Sequence, residues 1–99
     1  MFGSEAPERA VLDMALSRAE FVRQLHAAFP EAQQTGPDAF SGDAAGLHWT
    51  IRLQASSPLQ LGRLRLERWT VNIALPDATA QQRGRWWQRF SAHFQKGGG

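Results

Sequence analysis

Three histidines, ten arginines and an adjacent tryptophan pair are the side chains here best equipped for chemistry or recognition. His26, His48 and His93 are widely separated, and none stands at metal-ligand spacing with another histidine or an aspartate. No HExxH, GxSxG, CxxC or phosphate-binding glycine loop occurs. The absence of cysteine removes disulfides and thiolate sites. A Ser-His-Asp group assembles in space rather than along a chain, but a fold this small encloses a pocket with difficulty. The expectation is a non-enzymatic chain with no catalytic residue, no cofactor and no metal.

The arginines point to recognition instead. A guanidinium binds carboxylate or phosphate as a planar fork. Arg52, Arg63 and Arg65 alternate with apolar residues and so project from the polar side of predicted strands, with Arg68 at an irregularity between two of them. Arg83, Arg85 and Arg89 line a predicted helix beside Trp86 and Trp87. Neighbours on a helix diverge by ~100°, so both tryptophans cannot enter one core. Trp87 is in register with Phe90 and Phe94 and is assigned inside. Trp86 is placed at the margin, as an exposed partner anchor or against the first helix or the N-terminal segment. The candidate interaction surface is therefore Arg52, Arg63, Arg65, Arg68, Arg85, Trp86 and Arg89.

Whether that surface meets nucleic acid turns on the rings. Sheets that read single-stranded RNA stack bases on exposed aromatics. Here Trp49 and Trp69 alternate in phase with isoleucine, valine and leucine and belong to the apolar side. What remains outside is Arg, Thr, Gln and Asn, which hold phosphate but stack bases poorly. Charge is modest too, at +2. It is also uneven, with −4 over residues 1–49 and +6 over residues 50–99. The two halves can neutralise each other within the fold, and basic faces are commonly only solvated. Arginine and alanine richness also fits a GC-rich, bacterial-type coding sequence.

Ninety-nine residues with 42% hydrophobic content and 20% charge suffice for one core and one domain. No apolar run approaches the ~18 residues of a membrane span. Glu5 and Glu8 stand where a signal peptide carries positive charge. The expectation is a soluble, cytoplasmic protein with no membrane partner.

Several elements can be placed. Ser17-Arg18-Ala19-Glu20 is a capping box with Leu16 and Phe21 as its hydrophobic staple, and Pro30 stops the chain from continuing. These predict a helix over 18–29. Residues 1–16 are expected as a disordered or loosely docked arm. Residues 30–46 read as loop and turn, with a short strand around 38–41. Residues 47–55 alternate cleanly and predict a half-buried strand. Between 59 and 75 the apolar phase slips from even (Leu64, Leu66) to odd (Trp69, Val71, Ile73, Leu75). That requires two strands or one sharply bent strand. Asp77, or a second capping box over Thr79–Gln82, opens a final helix that Lys96 and Gly97 close.

The terminal Gly97-Gly98-Gly99 resembles, over those residues alone, the diglycine tails of ubiquitin-like and sulfur-carrier proteins. In those families the tail follows a strand. Here a predicted helix precedes it, so it is read as a helix cap with a flexible end at 97–99.

The fold expected is a two-layer α+β domain over residues 17–96. Three or four antiparallel strands carry N- and C-terminal helices on one face, in the order α-β-β-β-(β)-α. Its core comprises Phe21, Leu25, Phe29, Trp49, Ile51, Leu53, Trp69, Val71, Ile73, Trp87, Phe90 and Phe94. The function expected is contact with a protein partner or with a second copy of the chain. Weak, salt-sensitive nucleic-acid binding is the runner-up.

Overall fold

The computed structural model describes residues 6–94. Its elements are β1 (Arg9–Met14), α1 (Arg18–Ala28), β2 (Gln33–Gly36), β3 (Ala39–Ala44), β4 (Leu47–Ala55), β5 (Leu59–Leu61), β6 (Leu64–Leu66), β7 (Trp69–Ala74) and α2 (Ala80–Phe94). Five strands form one antiparallel sheet in the order β1-β7-β4-β3-β2, and β5 and β6 pair separately. The α+β class holds, with two corrections. The main sheet has five strands rather than three or four. The segment expected as an arm supplies an edge strand, β1, paired from Arg9↔Ala74 to Met14↔Trp69.

Alternation explains the single covered face. In β4, Leu47, Trp49, Ile51 and Leu53 are buried while the residues between them are exposed. Opposite them lie Val71 and Ile73 of β7 and Phe40 of β3. In β1, Ala10, Leu12 and Met14 lean on the same core. Both helices cover this side with Phe21, Leu25, Ala28, Trp86, Trp87, Phe90 and Phe94. Of the expected core, all but Trp69 are buried, and Trp69 is half-buried.

Helix α1 opens as expected, with the Glu20 N–H donating to Ser17 Oγ at 3.0 Å. The box closes on this side alone, because the Glu20 carboxylate accepts from Arg23 and Gln24 instead. Chiefly the Arg23 hydrogen bond, then that of Gln24, hold the Glu20 carboxyl below its ordinary pKa. A second acid does the remaining work: Glu67 Oε1 accepts from the Arg18 N–H at 3.0 Å, where an anion suits the helix dipole. Helix α2 is capped by Thr79 rather than Asp77. The Gln82 N–H donates to Thr79 Oγ1 (3.1 Å) and the Thr79 N–H donates to Gln82 Oε1 (2.9 Å). Asp77 turns the chain beforehand, at φ +58°. The closing Lys96 and Gly97, and the 97–99 tail, lie outside the described residues.

The β3–β4 hairpin shows how tightly the sheet is packed. A Cβ at Gly42 would stand 2.7 Å from Cζ2 of the fully buried Trp49. Gly42→Ala is therefore expected to cost about 1–3 kcal/mol, since the indole has no free space into which to move. A urea midpoint lowered at unchanged slope is the check.

Candidate interaction surface

The phase slip seen in the sequence becomes a projecting ribbon. Register along β4 and β7 runs from Thr50↔Ala74 to Ala55↔Trp69. Beyond Ser56, whose N–H donates to the Arg68 carbonyl at 2.9 Å, the register has moved by one residue, to Leu59↔Leu66. The extra residue lies on the first arm, between Ala55 and Leu59. From Leu59 to Leu66 the chain is a two-stranded hairpin whose Gly62 takes φ +60° at the turn. Its pairs are Leu59↔Leu66, Gln60↔Arg65 and Leu61↔Leu64. Residues directly opposite share a face, and so do residues two apart. The four leucines therefore line one face of the ribbon, and Gln60 and Arg65 line the other.

That leucine face is uncovered. Leu61 and Leu64 are each 55% exposed, and none of the four leucines belongs to the core or packs against it. With Val11 at 69%, these two are the large hydrophobics that the described residues leave open. An isolated two-stranded hairpin is marginal in water. From Ser56 to Leu66 the segment carries Arg63 and Arg65 and no acid.

The uncovered face of the main sheet is different in character. A concavity of about 710 Å³ lies over all five strands and is lined by the polar side chains of Arg9, Thr35, Thr50, Arg52 and Asn72, with apolar residues such as Val11 between them. No acid, histidine or aromatic ring other than Phe40 lines it. Phe40 itself is 1% exposed and belongs to the core.

The predicted site residues do not converge. Arg52 lies on the open sheet face, and Arg63 and Arg65 lie on the ribbon. Arg85 and Arg89 belong to α2, in the layer on the other side of the sheet. Several arginines are committed to the fold. Arg89 donates to the Ala28 carbonyl at the end of α1, stands 5.0 Å from the Phe29 ring centroid and lies 3.9 Å from Glu31. Arg68 Nε is 3.3 Å from Asp13 Oδ1, which ties the base of the ribbon to β1. Arg83 donates to the carbonyls of Ala6 and Ala78.

Of the two placements expected for Trp86, the exposed anchor is corrected and packing against the first helix holds: Trp86 is fully buried beside Phe29, and Trp87 is only 3% exposed. The two indoles do diverge, lying edge to face at 86° with centroids 5.0 Å apart. The core, however, wraps α2 on two sides. Trp86 stacks on Phe29 and Phe90, while Trp87 Nε1 donates to the Pro7 carbonyl at 2.8 Å.

His26 and His93 are exposed on the helices, and His48 Nδ1 is 3.1 Å from Asp43 Oδ1 at the surface. No cluster of three or more His, Asp or Glu suited to a metal occurs among the described residues. Among them, too, no helix is long and apolar enough to cross a membrane.

The leucine ribbon was the surface that sequence reasoning missed, although its signal was present. Leu59, Leu61, Leu64 and Leu66 flank Gly62-Arg63, as a hairpin requires. No known protein family, curated protein or solved structure matches the chain.

Proposed function

We propose that this chain acts through protein contacts rather than catalysis, presenting the Leu59–Leu66 ribbon to a protein partner. The observation that carries the reading is the four-leucine face, half of it 55% exposed, on a hairpin that extends from the sheet and packs on no core. The partner this chemistry fits offers an apolar stripe flanked by carboxylates, to take up the leucines together with Arg63 and Arg65. Buried apolar contact supplies the affinity, and rim charge governs the rate and salt dependence of encounter.

Nucleic-acid binding is less well supported. Its arginines are divided among the open face, the ribbon and the helix layer, and the tryptophans that would stack bases are inside or half-buried.

The test places a photo-cross-linking residue at Leu64 or, as control, at Thr50 on the open face. Irradiation in cells is expected to give one discrete adduct, of a mass unequal to two chains, from Leu64 and none from Thr50. The same adducts from both positions, or none from either, contradict the proposal. A retarded band with single-stranded RNA at low salt, weakened by Arg63→Ala/Arg65→Ala, would favour the alternative.

A further inference from the structure

The main sheet has two edges of different character. The β2 edge is blunted: it is four residues long, slips register between Gln34 and Gly36, and is followed by Pro37. Such features protect an edge from pairing with another chain. The β1 edge has none of them. Its six residues pair with β7 in unbroken register, without proline, lysine or bulge.

Backbone direction shows what this edge offers. The Glu8 carbonyl accepts from the Leu75 N–H at 2.8 Å and so faces β7. Backbone groups alternate in direction along a strand. Residues 10, 12 and 14 therefore address β7, and Arg9, Val11 and Asp13 turn their N–H and C=O groups outward. The side chains of these three stand on the open face of the sheet, with Val11 69% exposed. Arg9 has no ion-pair partner among the described residues.

We infer that β1 pairs antiparallel with β1 of a second copy about a two-fold axis at Val11, joining two five-stranded sheets into one of ten strands. In this register Val11 faces Val11, and Arg9 of each copy faces Asp13 of the other. All three facing pairs are ones whose backbone groups point outward, so each exchanges two hydrogen bonds. On the helix side, Ala10 faces Leu12, bringing half-buried apolar groups together. Opposite charges directly across a strand pair favour pairing and like charges oppose it. The strand's order of basic, apolar and acidic side chains at positions 9, 11 and 13 is thus self-complementary only when antiparallel. Asp13 keeps its contact with Arg68 and uses its second oxygen for Arg9. The surface involved is separate from the leucine ribbon, so either proposal can fail alone.

The experiment is sedimentation velocity over a concentration series, run with two charge variants. The wild-type chain is expected to pass from 11.0 kDa to twice that mass. Arg9→Asp and Asp13→Arg are each expected to weaken self-association at least tenfold, since each sets like charges opposite. An equimolar mixture of the two variants is expected to restore the dimer, because both facing pairs become complementary again. Circular dichroism establishes that each variant is folded. Should Asp13→Arg fail to fold, amide exchange of the wild type decides, with the Val11 and Asp13 amides slowing as concentration rises. A monomer throughout, a dimer indifferent to Arg9→Asp, or Val11 and Asp13 amides whose exchange ignores concentration would overturn the inference.

Discussion

Trp86→Ala is expected to cost about 3–5 kcal/mol, the loss usual for truncating a large core aromatic. The ring has no solvent exposure. It lies 5.0 Å from Phe29 and 5.2 Å from Phe90 in stacked geometry, and 6.1 Å from Trp49 in tilted geometry. Removing it therefore opens a void where α1, α2 and β4 meet. No neighbouring side chain fills such a void without leaving its own place in the stack. Small domains hold only about 5–15 kcal/mol in total, so much of the chain would be unfolded in mild denaturant. Urea denaturation followed by far-UV circular dichroism is the check. A midpoint within experimental error of wild type would mean that the indole faces water and anchors a partner.

Leu61→Ser/Leu64→Ser is expected to do the reverse. Both side chains already stand more than half in solvent and pack on no core residue, so folding stability should change by no more than about 0.5 kcal/mol. Association should suffer heavily. The few residues whose truncation costs over 1 kcal/mol cluster at the centre of a contact, and with both leucines placed there the loss is upwards of about thirtyfold in Kd if the two add. The paired readout is the urea midpoint and the yield of the Leu64-region adduct, with the cross-linker moved to Leu59 in the double variant. A loss of stability matching the loss of adduct would show that the leucines belong to the fold.

Much of the architecture was legible because its signals are local. Ser17, Pro30 and the alternation of residues 47–55 each act within a few positions, and each gave the element it predicts. What stayed hidden depends on distant partners. Residues 9–14 alternate Ala10, Leu12 and Met14 against Arg9, Val11 and Asp13, but the exposed valine blurs the period. Only pairing with β7, some sixty residues away, turns the segment into a strand. Asp77 is as good a cap by type as Thr79, and the reciprocal bonds between Thr79 and Gln82 decide between them. The ~100° between Trp86 and Trp87 keeps one of them out of the core only where a helix has a single covered side. The Ala6–Pro7 segment covers a second, receiving hydrogen bonds from Arg83 and Trp87.

The candidate site was harder to read for the same reason. Arginines placed together by sequence pattern prove to be divided among three surfaces, and Arg68 and Arg89 are held by internal partners. The leucines at 59–66 were visible as two short runs. Their exposure goes with the register shift between Ala55 and Leu59, beyond which the leucines pack on no core residue.

All of this depends on the aromatic rings being turned inward, so that leucine and arginine are what a partner meets. Iodide quenching of tryptophan fluorescence in the native chain tests that most directly. The account predicts blue-shifted emission, with quencher reaching only the contribution of the half-buried Trp69 among four tryptophans. Emission open to iodide from most of the tryptophans would contradict it and return base stacking or an aromatic anchor to the front.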